Sequence, residues 1–478
     1  MSLAIDILFQ TARRILVALL VIAGPISAVM QYAQTTSAAG TVAARHTVIA
    51  ATGTAAPSGG NFSGFSNISL NAQHRVAFDA LLDPSGTTGI FVGDGKRTST
   101  VALEADPDPT AQSFGFLFNP FITLRGDVVF DSDSNTLLSD GKSITPLALE
   151  GSPAPGGGTL SPSVHAANDQ GALATFAFVN DSTATQGIFL TDGGRTVAIA
   201  RDDVAPPTGG QFLNLFDPAV NDRGQVAFES EMTGGSADFG VFRGEGSGLT
   251  PIFLAGQAAP GGSIFADFGN PVLNSHGQVA DVCVLDDFAS AGIFVSDGTN
   301  TVAIAVEGQA APKGGNYRNP NAFIGKVRLN DRGDVAFTSR LSGGTSTNGV
   351  FRGDGTQTTT IALAGTIAPG TTGTFQSFDD IKLGDDGRVA IIGRLALGVG
   401  GVNTTNNTGI WVGTSDADLQ LVVRTSDVIG GNILTRLPGA AGGLNQFSMN
   451  QNSIAWIGTF GSSREIVVSR LLDADDND

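Results

Sequence analysis

The feature that most constrains this chain is a nonapeptide that recurs along nearly its whole length. It reads "LNAQHRVAF" from Leu70, "ITLRGDVVF" from Ile122, "ANDQGALAT" from Ala167, "VNDRGQVAF" from Val220, "LNSHGQVAD" from Leu273, "LNDRGDVAF" from Leu329 and "LGDDGRVAI" from Leu383. A shortened eighth copy, "MNQNSIAW", starts at Met449. Successive copies lie 52 to 56 residues apart, with a short second interval and a long last one. A period in that range marks a propeller or a solenoid, because each unit buries its apolar faces only by packing on its neighbours.

Each copy is a polar turn followed by an apolar strand. In N-x-x-G the Asn side chain accepts hydrogen bonds from the amides that follow, and Gly supplies the positive φ that closes the turn. This assigns structural turns to Asn71, Asn168, Asn221, Asn274 and Asn330, and to Gly126, Gly171, Gly224, Gly277, Gly333 and Gly387. Val226 and Phe228 point to one face of their strand and Ala227 to the other, a large-and-small alternation that lets sheets pack on both faces. The motif is geometry rather than a catalytic signature, since turn and packing rules account for it in every copy.

The rest of the unit is equally regular. A variable loop leads to a second strand with a sharp turn, as in "GIFVGDG" from Gly89 and "GIFVSDG" from Gly292, and a third strand follows, as in "TVALEA" from Thr100. A Gly/Pro loop such as "GSPAPGGGTL" from Gly151 closes the unit, giving four short strands, two tight turns and two longer loops. The chain ends decide between ring and line. A strand of the last type, residues 47–50, precedes the first hairpin, and "REIVVSRLL" near the C-terminus has no such strand after it. Pairing the two ends completes a blade and removes the open edge, whereas a solenoid needs polar caps. The expectation is an all-β chain forming a single eight-bladed β-propeller of four-stranded antiparallel blades, closed by one N-terminal and three C-terminal strands. A seven-bladed propeller and an open β-solenoid are the alternatives.

Residues 1–39 read as a signal peptide and linker, 40–472 as the propeller and 473–478 as an acidic tail. Arg13 and Arg14 precede a short apolar run, 15–23, that Gly24 and Pro25 interrupt, with small residues at Ala28 and Ala39 for cleavage. The run is short for a membrane span, so no stable span is expected after cleavage, and the chain is expected to be secreted or held at the cell surface. An uncleaved anchor helix is the other reading. The single Cys283 lies in an apolar strand and reads as a small buried hydrophobe. A formal charge of −18 without clustered cations excludes nucleic acid as a partner.

The recurring pattern, as in "NDRGQVAF" and "NDRGDVAF", resembles the NxxGxxAF tandem-repeat proteins, exported bacterial proteins of unknown function with varied C-terminal anchors. The resemblance implies export and surface display rather than an activity. The terminal "LLDADDND" departs from the anchored pattern.

Candidate sites are few. The variable loops 229–239, 284–291 and 395–408 differ between blades and share one face with the Ala-Pro-Gly-Gly loops, so that face is the expected binding surface. Four histidines, His46, His74, His165 and His276, offer little material for a metal cluster or a triad, and no catalytic residue or cofactor is assigned. Calcium is a weak candidate at Asp131, Asp133 and Asn135, where oxygen ligands alternate without the Gly and Glu of a full EF-hand loop. Arg328 and Lys382 precede the hairpins of adjacent blades in equivalent places, where they bind an anion near the axis or pair with surplus Asp. The leading expectation is a non-enzymatic exported scaffold that binds a protein or cell-envelope component through its loop face. A polysaccharide hydrolase or lyase with carboxylates near the axis, and a structural surface or matrix protein, are the alternatives.

Overall fold

A computed structural model of the chain describes the backbone of 31–33 and residues 44–472, except 105, 111, 182, 247, 287–289, 319–326 and 440–444. These residues form eight antiparallel sheets and no helix. Blade 1 consists of Asn61–Leu70, Val76–Asp83, Thr88–Gly93 and Thr98–Leu103, hydrogen-bonded in that order. Blades 2 to 7 repeat the plan, with first strands starting at Leu117, Thr159, Gln211, Phe265, Asn316 and Phe375. In blades 4, 5 and 6 the first strand is broken, so that Gln211–Leu215 and Ala219–Val220, for example, pair separately with Val226–Thr233.

The eighth blade joins the two ends of the chain. Ala44–Ala51 pairs antiparallel with Ser463–Leu471, from Ala44↔Leu471 to Ala51↔Glu465, and Ser463–Leu471 pairs in turn with Ser453–Phe460. Three C-terminal strands and one N-terminal strand therefore make one sheet, as the repeat count requires. A further short strand, Gln31–Ala33, lies on the outer edge of Ala44–Ala51. The apolar run 15–23, both cleavage positions and the tail 473–478 lie outside the described residues.

The alternation of large and small residues builds the core. Val226, Phe228 and Phe242 of blade 4 pack on Ala174 and Ile188 of blade 3, while Ala227 and Val241 on the other face meet Val279, Cys283 and Phe294 of blade 5. Apolar clusters of this kind join every pair of neighbouring blades, including blades 8 and 1, where Ala455 and Ile457 meet Val76 and Phe78. Phe228 is fully buried, which contributes about 2–3 kcal/mol relative to exposure. The glycine of the G-I/V-F strand makes room for the aromatic two residues on. A Cβ at Gly187 would stand 2.7 Å from the Phe189 ring, and one at Gly292 would stand 2.5 Å from that of Phe294.

Candidate functional site

The N-x-x-G hairpins form a ring around the axis. Asn221 Oδ1 accepts the amides of Arg223 at 3.1 Å and Gln225 at 2.9 Å, and the same pattern recurs at Asn71, Asn168, Asn274 and Asn330. Gly126, Gly171, Gly224, Gly277, Gly333 and Gly387 have φ between 75° and 90°, where a side chain would be strained. The Asn amide has a second task. Asn168 Nδ2 donates to Asn221 O at 2.7 Å, Asn221 to Asn274 O at 2.8 Å, Asn274 to Asn330 O at 3.0 Å, and Asn450 of blade 8 to Asn71 O at 2.5 Å. Each of these asparagines thus closes its own turn and ties it to the next blade.

Asp169, Asp222, Asp331 and Asp385 are the second residues of their hairpin turns. Asp222 accepts the amide of Asp169 at 2.9 Å, Asp331 that of Ser275 at 2.8 Å, and Asp385 that of Asp331 at 3.2 Å. Burial, then the charges of Asp222, Asp385 and Asp331, push Asp169 up to about 6, so carboxylates from opposite sides of the ring feel one another. The D-G turns between third and fourth strands share this face. Asp94, Asp140, Asp297 and Asp354 each accept two following amides, which holds their carboxyls below the usual range.

The opposite face carries the Gly/Pro loops and the variable loops, and its surface is different in kind. Of the fifteen large apolar side chains exposed among the described residues, eleven stand on its loops or on the strand ends that reach it. Phe116 is 57% exposed, Phe178 56%, Leu213 45% and Leu81 43%, all on the inner two strands of blades 1 to 4 or beside them. Ile367 and Leu397 extend the apolar surface across blade 7. Only Leu124 and Val302 belong to the hairpin face.

A second concentration of chemistry lies on the inner strands. In blade 1, buried Asp79 accepts Asn67 N at 2.5 Å and Asn67 Nδ2 at 3.0 Å. In blade 2, Asp131 at the matching position accepts Asn119 Nδ2 at 3.1 Å and Thr136 Oγ1 at 2.9 Å, and lies 3.4 Å from His165 Nε2. Blade 4 breaks the pattern. Glu229 takes the place of the buried Asp, but Asp217 stands where Asn67 and Asn119 stand. Burial, then the charges of Asp267 and Asp217, push Glu229 up to about 8. Asp281 of blade 5 occupies the position held elsewhere by Phe78, Phe130, Phe228 and Phe337. It is 1% exposed; Oδ1 accepts the amides of Gly269 and Val282, while Oδ2 has no hydrogen-bond partner. Glu229 thus feels the charges of Asp267 and Asp217, and Asp281 those of Glu229 and Asp267, so carboxylates of blades 4 and 5 act on one another across the seam packed by Ala227 and Val279.

The sequence-derived candidates are distributed rather than gathered. Asp131 is engaged as described, Asp133 Oδ1 accepts Phe116 N at 3.1 Å, and Asn135 Oδ1 accepts Glu150 N at 2.9 Å. Arg328 and Lys382 do stand in equivalent register, opposite Ala336 and Ala390. Arg328 donates to Val327 O at 3.1 Å and feels the charge of Asp380, while Lys382 Nζ is 3.3 Å from Asn445 Oδ1. Cys283 is buried in the blade 4–blade 5 cluster, and burial pushes its thiol well up. The Asp217–Glu229–Asp281 association was not foreseen; its signals were "VAD" in place of "VAF" and an Asp in the Asn position of the first strand. A cavity of about 310 Å³ lies between blades 3 and 4, lined by Ile199, Val204, Phe212 and Leu249. Arg201 on its wall is committed to Asp181 and Asp203 at 3.2 and 3.0 Å.

Comparison with solved structures returns propellers at low similarity. The β-propeller domain of the Trilobed protease from Pyrococcus furiosus is 11% identical, with 77% of this chain and all of that domain covered and a TM-score of 0.39. The Dos1 propeller is 8% identical, covering 84% of this chain and 92% of that one, with a TM-score of 0.40. A puromycin-hydrolyzing peptidase of Mycobacterium tuberculosis is 12% identical at a TM-score of 0.41 over 86% of this chain, which spans 52% of the peptidase's length. Likenesses of this strength carry no argument about activity. No curated protein matches the sequence. The profile of a family of unknown function, DUF7453, matches residues 26–290 and 285–453.

Proposed function

The chain belongs to the DUF7453 family of unknown function, and from that premise we propose that it is an exported, non-catalytic propeller scaffold that binds a protein or cell-envelope component through its loop face. The observation that carries this reading is the asymmetry of the two faces. The hairpin face spends its Asn and Asp side chains on its own backbone amides, whereas the loop face leaves Leu81, Phe178 and Leu213 exposed on strands held by the blade cores, and Phe116 exposed just before one. Exposed apolar surface concentrated on one side of a rigid scaffold is the usual mark of an interaction site. The likeness to NxxGxxAF repeat proteins and the basic and apolar segment before residue 24 support export, with bacterial cell surfaces as the setting.

The test is co-sedimentation of the purified propeller with isolated bacterial envelopes. The reading expects binding that a Phe116→Ser, Phe178→Ser double variant reduces at least tenfold while the fold is retained, since each exposed aromatic anchor contributes about 1–2 kcal/mol. Equal binding by the variant, or none by the wild type, overturns it. The Asp217, Glu229, Asp267 and Asp281 cluster favours a second reading, a hydrolase or lyase acting on polysaccharide, in which raised Glu229 serves as the acid. That reading requires cleavage of a polysaccharide that Glu229→Gln abolishes.

A further inference from the structure

We infer that the arginine-rich sector of the loop face, built by the inner strands of blades 6, 7 and 8, seats an acidic polypeptide segment of the partner. The inference rests on the loop face being the binding surface and adds the chemistry that this face selects. Charge is divided unevenly around the ring. The first and second strands of blades 1 to 5 carry seven acids and neither Lys nor Arg. The same strands of blades 6 to 8 carry six cations, Arg318, Arg328, Arg340, Lys382, Arg394 and Arg436, against two acids, Asp379 and Asp380. A chain with a formal charge of −18 thus gathers its inner-strand cations in three adjacent blades.

The arginines stand in rows at the loop-face ends of their strands. Arg318 pairs directly opposite Arg340 across blade 6, and both are exposed. In blade 8, Arg436 lies opposite Thr459 and Thr459 opposite Arg464, so two guanidinium groups share one row. Burial, then the charge of Arg436, holds Arg464 below the usual arginine range. Exposed Arg394 of blade 7 lies between the two rows, at the strand position that Arg340 holds in blade 6. Asp379 pairs with Arg394 at 2.7 Å and Asp380 acts on Arg328, but Arg318 and Arg436 enter no ion pair among the described residues. Like charges set directly opposite one another destabilise a sheet, so an anionic occupant accounts for the rows where the fold does not. Arginine supplies five of the six cations, and its planar fork grips a carboxylate through two parallel hydrogen bonds. The occupant must also cover Leu81, Phe116, Phe178 and Leu213 across the ring. A polypeptide bearing carboxylates and apolar side chains meets both sectors, whereas an acidic polysaccharide meets only the arginines. The net charge of the chain does not prevent this, because charges more than about 8 Å away are largely screened at physiological salt and the nearby arginines decide.

The experiment is fluorescence anisotropy of a labelled peptide of repeated Glu-Glu-Leu titrated with the full chain. The inference expects saturable binding that weakens with rising sodium chloride and falls about tenfold or more in the Arg318→Gln, Arg436→Gln double variant. Both side chains are exposed, so the variant is expected to keep the wild-type Tm. An Arg125→Gln, Arg223→Gln variant removes the same charge from exposed positions of the hairpin face and is expected to bind as the wild type does. No saturable binding, binding that salt leaves unchanged, or equal losses in the two double variants overturns the inference. Tighter binding of oligogalacturonate than of the peptide also overturns it, because an acidic polysaccharide is then the occupant. Co-sedimentation with envelopes separates this outcome from failure of the broader reading. Binding kept by the Arg318, Arg436 variant and lost in the Phe116, Phe178 variant leaves the loop face as the binding surface and overturns the acidic partner alone.

Discussion

Acid is expected to loosen the seam between the chain ends through one residue, His46. This histidine lies on the N-terminal strand Ala44–Ala51 opposite Ser469 of the C-terminal strand and is 1% exposed. Its Nδ1 is 2.8 Å from Ser469 Oγ, which also accepts the indole N–H of Trp456 at 2.8 Å. The hydroxyl proton is then free to go to Nδ1, which suits a neutral imidazole. Burial lowers the His46 pKa from 6.5 to about 4. Between those values the unfolded chain takes up a proton that the folded chain refuses, so stability is present above pH 6.5 and lost as pH falls toward 4. A difference of about 2.5 units corresponds to about 3 kcal/mol. The assay is urea unfolding at pH 7 and pH 4 of the wild type and of His46→Gln, which keeps an acceptor but cannot titrate. The variant is expected to lose about 3 kcal/mol less on acidification. Other titrating groups cancel in this double difference, and equal losses in the two proteins would refute the reasoning.

Three further outcomes follow from particular residues. Asn221→Ala removes the acceptor of two backbone amides and the donor to Asn274 O, and is expected to lower unfolding free energy by about 3 kcal/mol in urea titrations. Thr175 holds a buried, unpartnered hydroxyl where blades 1, 2, 4 and 6 place Phe, so Thr175→Val is expected to raise stability by about 1 kcal/mol in the same assay. Glu229 has a folded pKa of about 8, above its value of 4.5, so its contribution is present at low pH and lost as pH rises through 8. Glu229→Gln is expected to flatten the fall in Tm between pH 5 and pH 8.5, and an unchanged slope would count against the uncompensated cluster.

The architecture was legible because its determinants are local and repeated. Each N-x-x-G fixes a turn by its own backbone chemistry, and each V-A-F fixes which side of a strand is bulky. The orphan strand at 47–50 specified how the ring closes before any pairing was known. What stayed hidden depends on contacts between blades. Asn221 could be read as a cap for Gln225, but not as the donor to Asn274, whose carbonyl lies 53 residues away. Likewise Asp217 lies in the break of the first strand of blade 4, and Glu229 and Asp281 lie on the second strands of blades 4 and 5, so their charges act on one another only through the fold. The alternation Asp131, Asp133, Asn135 suggested a shared ligand set, yet Asp133 with φ of 51° marks a turn between strands, so its neighbours diverge to separate partners.

The central claim, that the loop face is the binding surface, is tested most directly by hydrogen–deuterium exchange of the propeller with and without bacterial envelopes. The account predicts new protection in the peptides around Leu81, Phe116, Phe178 and Leu213, with the hairpins at Asn168, Asn221 and Asn274 unchanged. Protection confined to those hairpins, or absent from both faces, would contradict it.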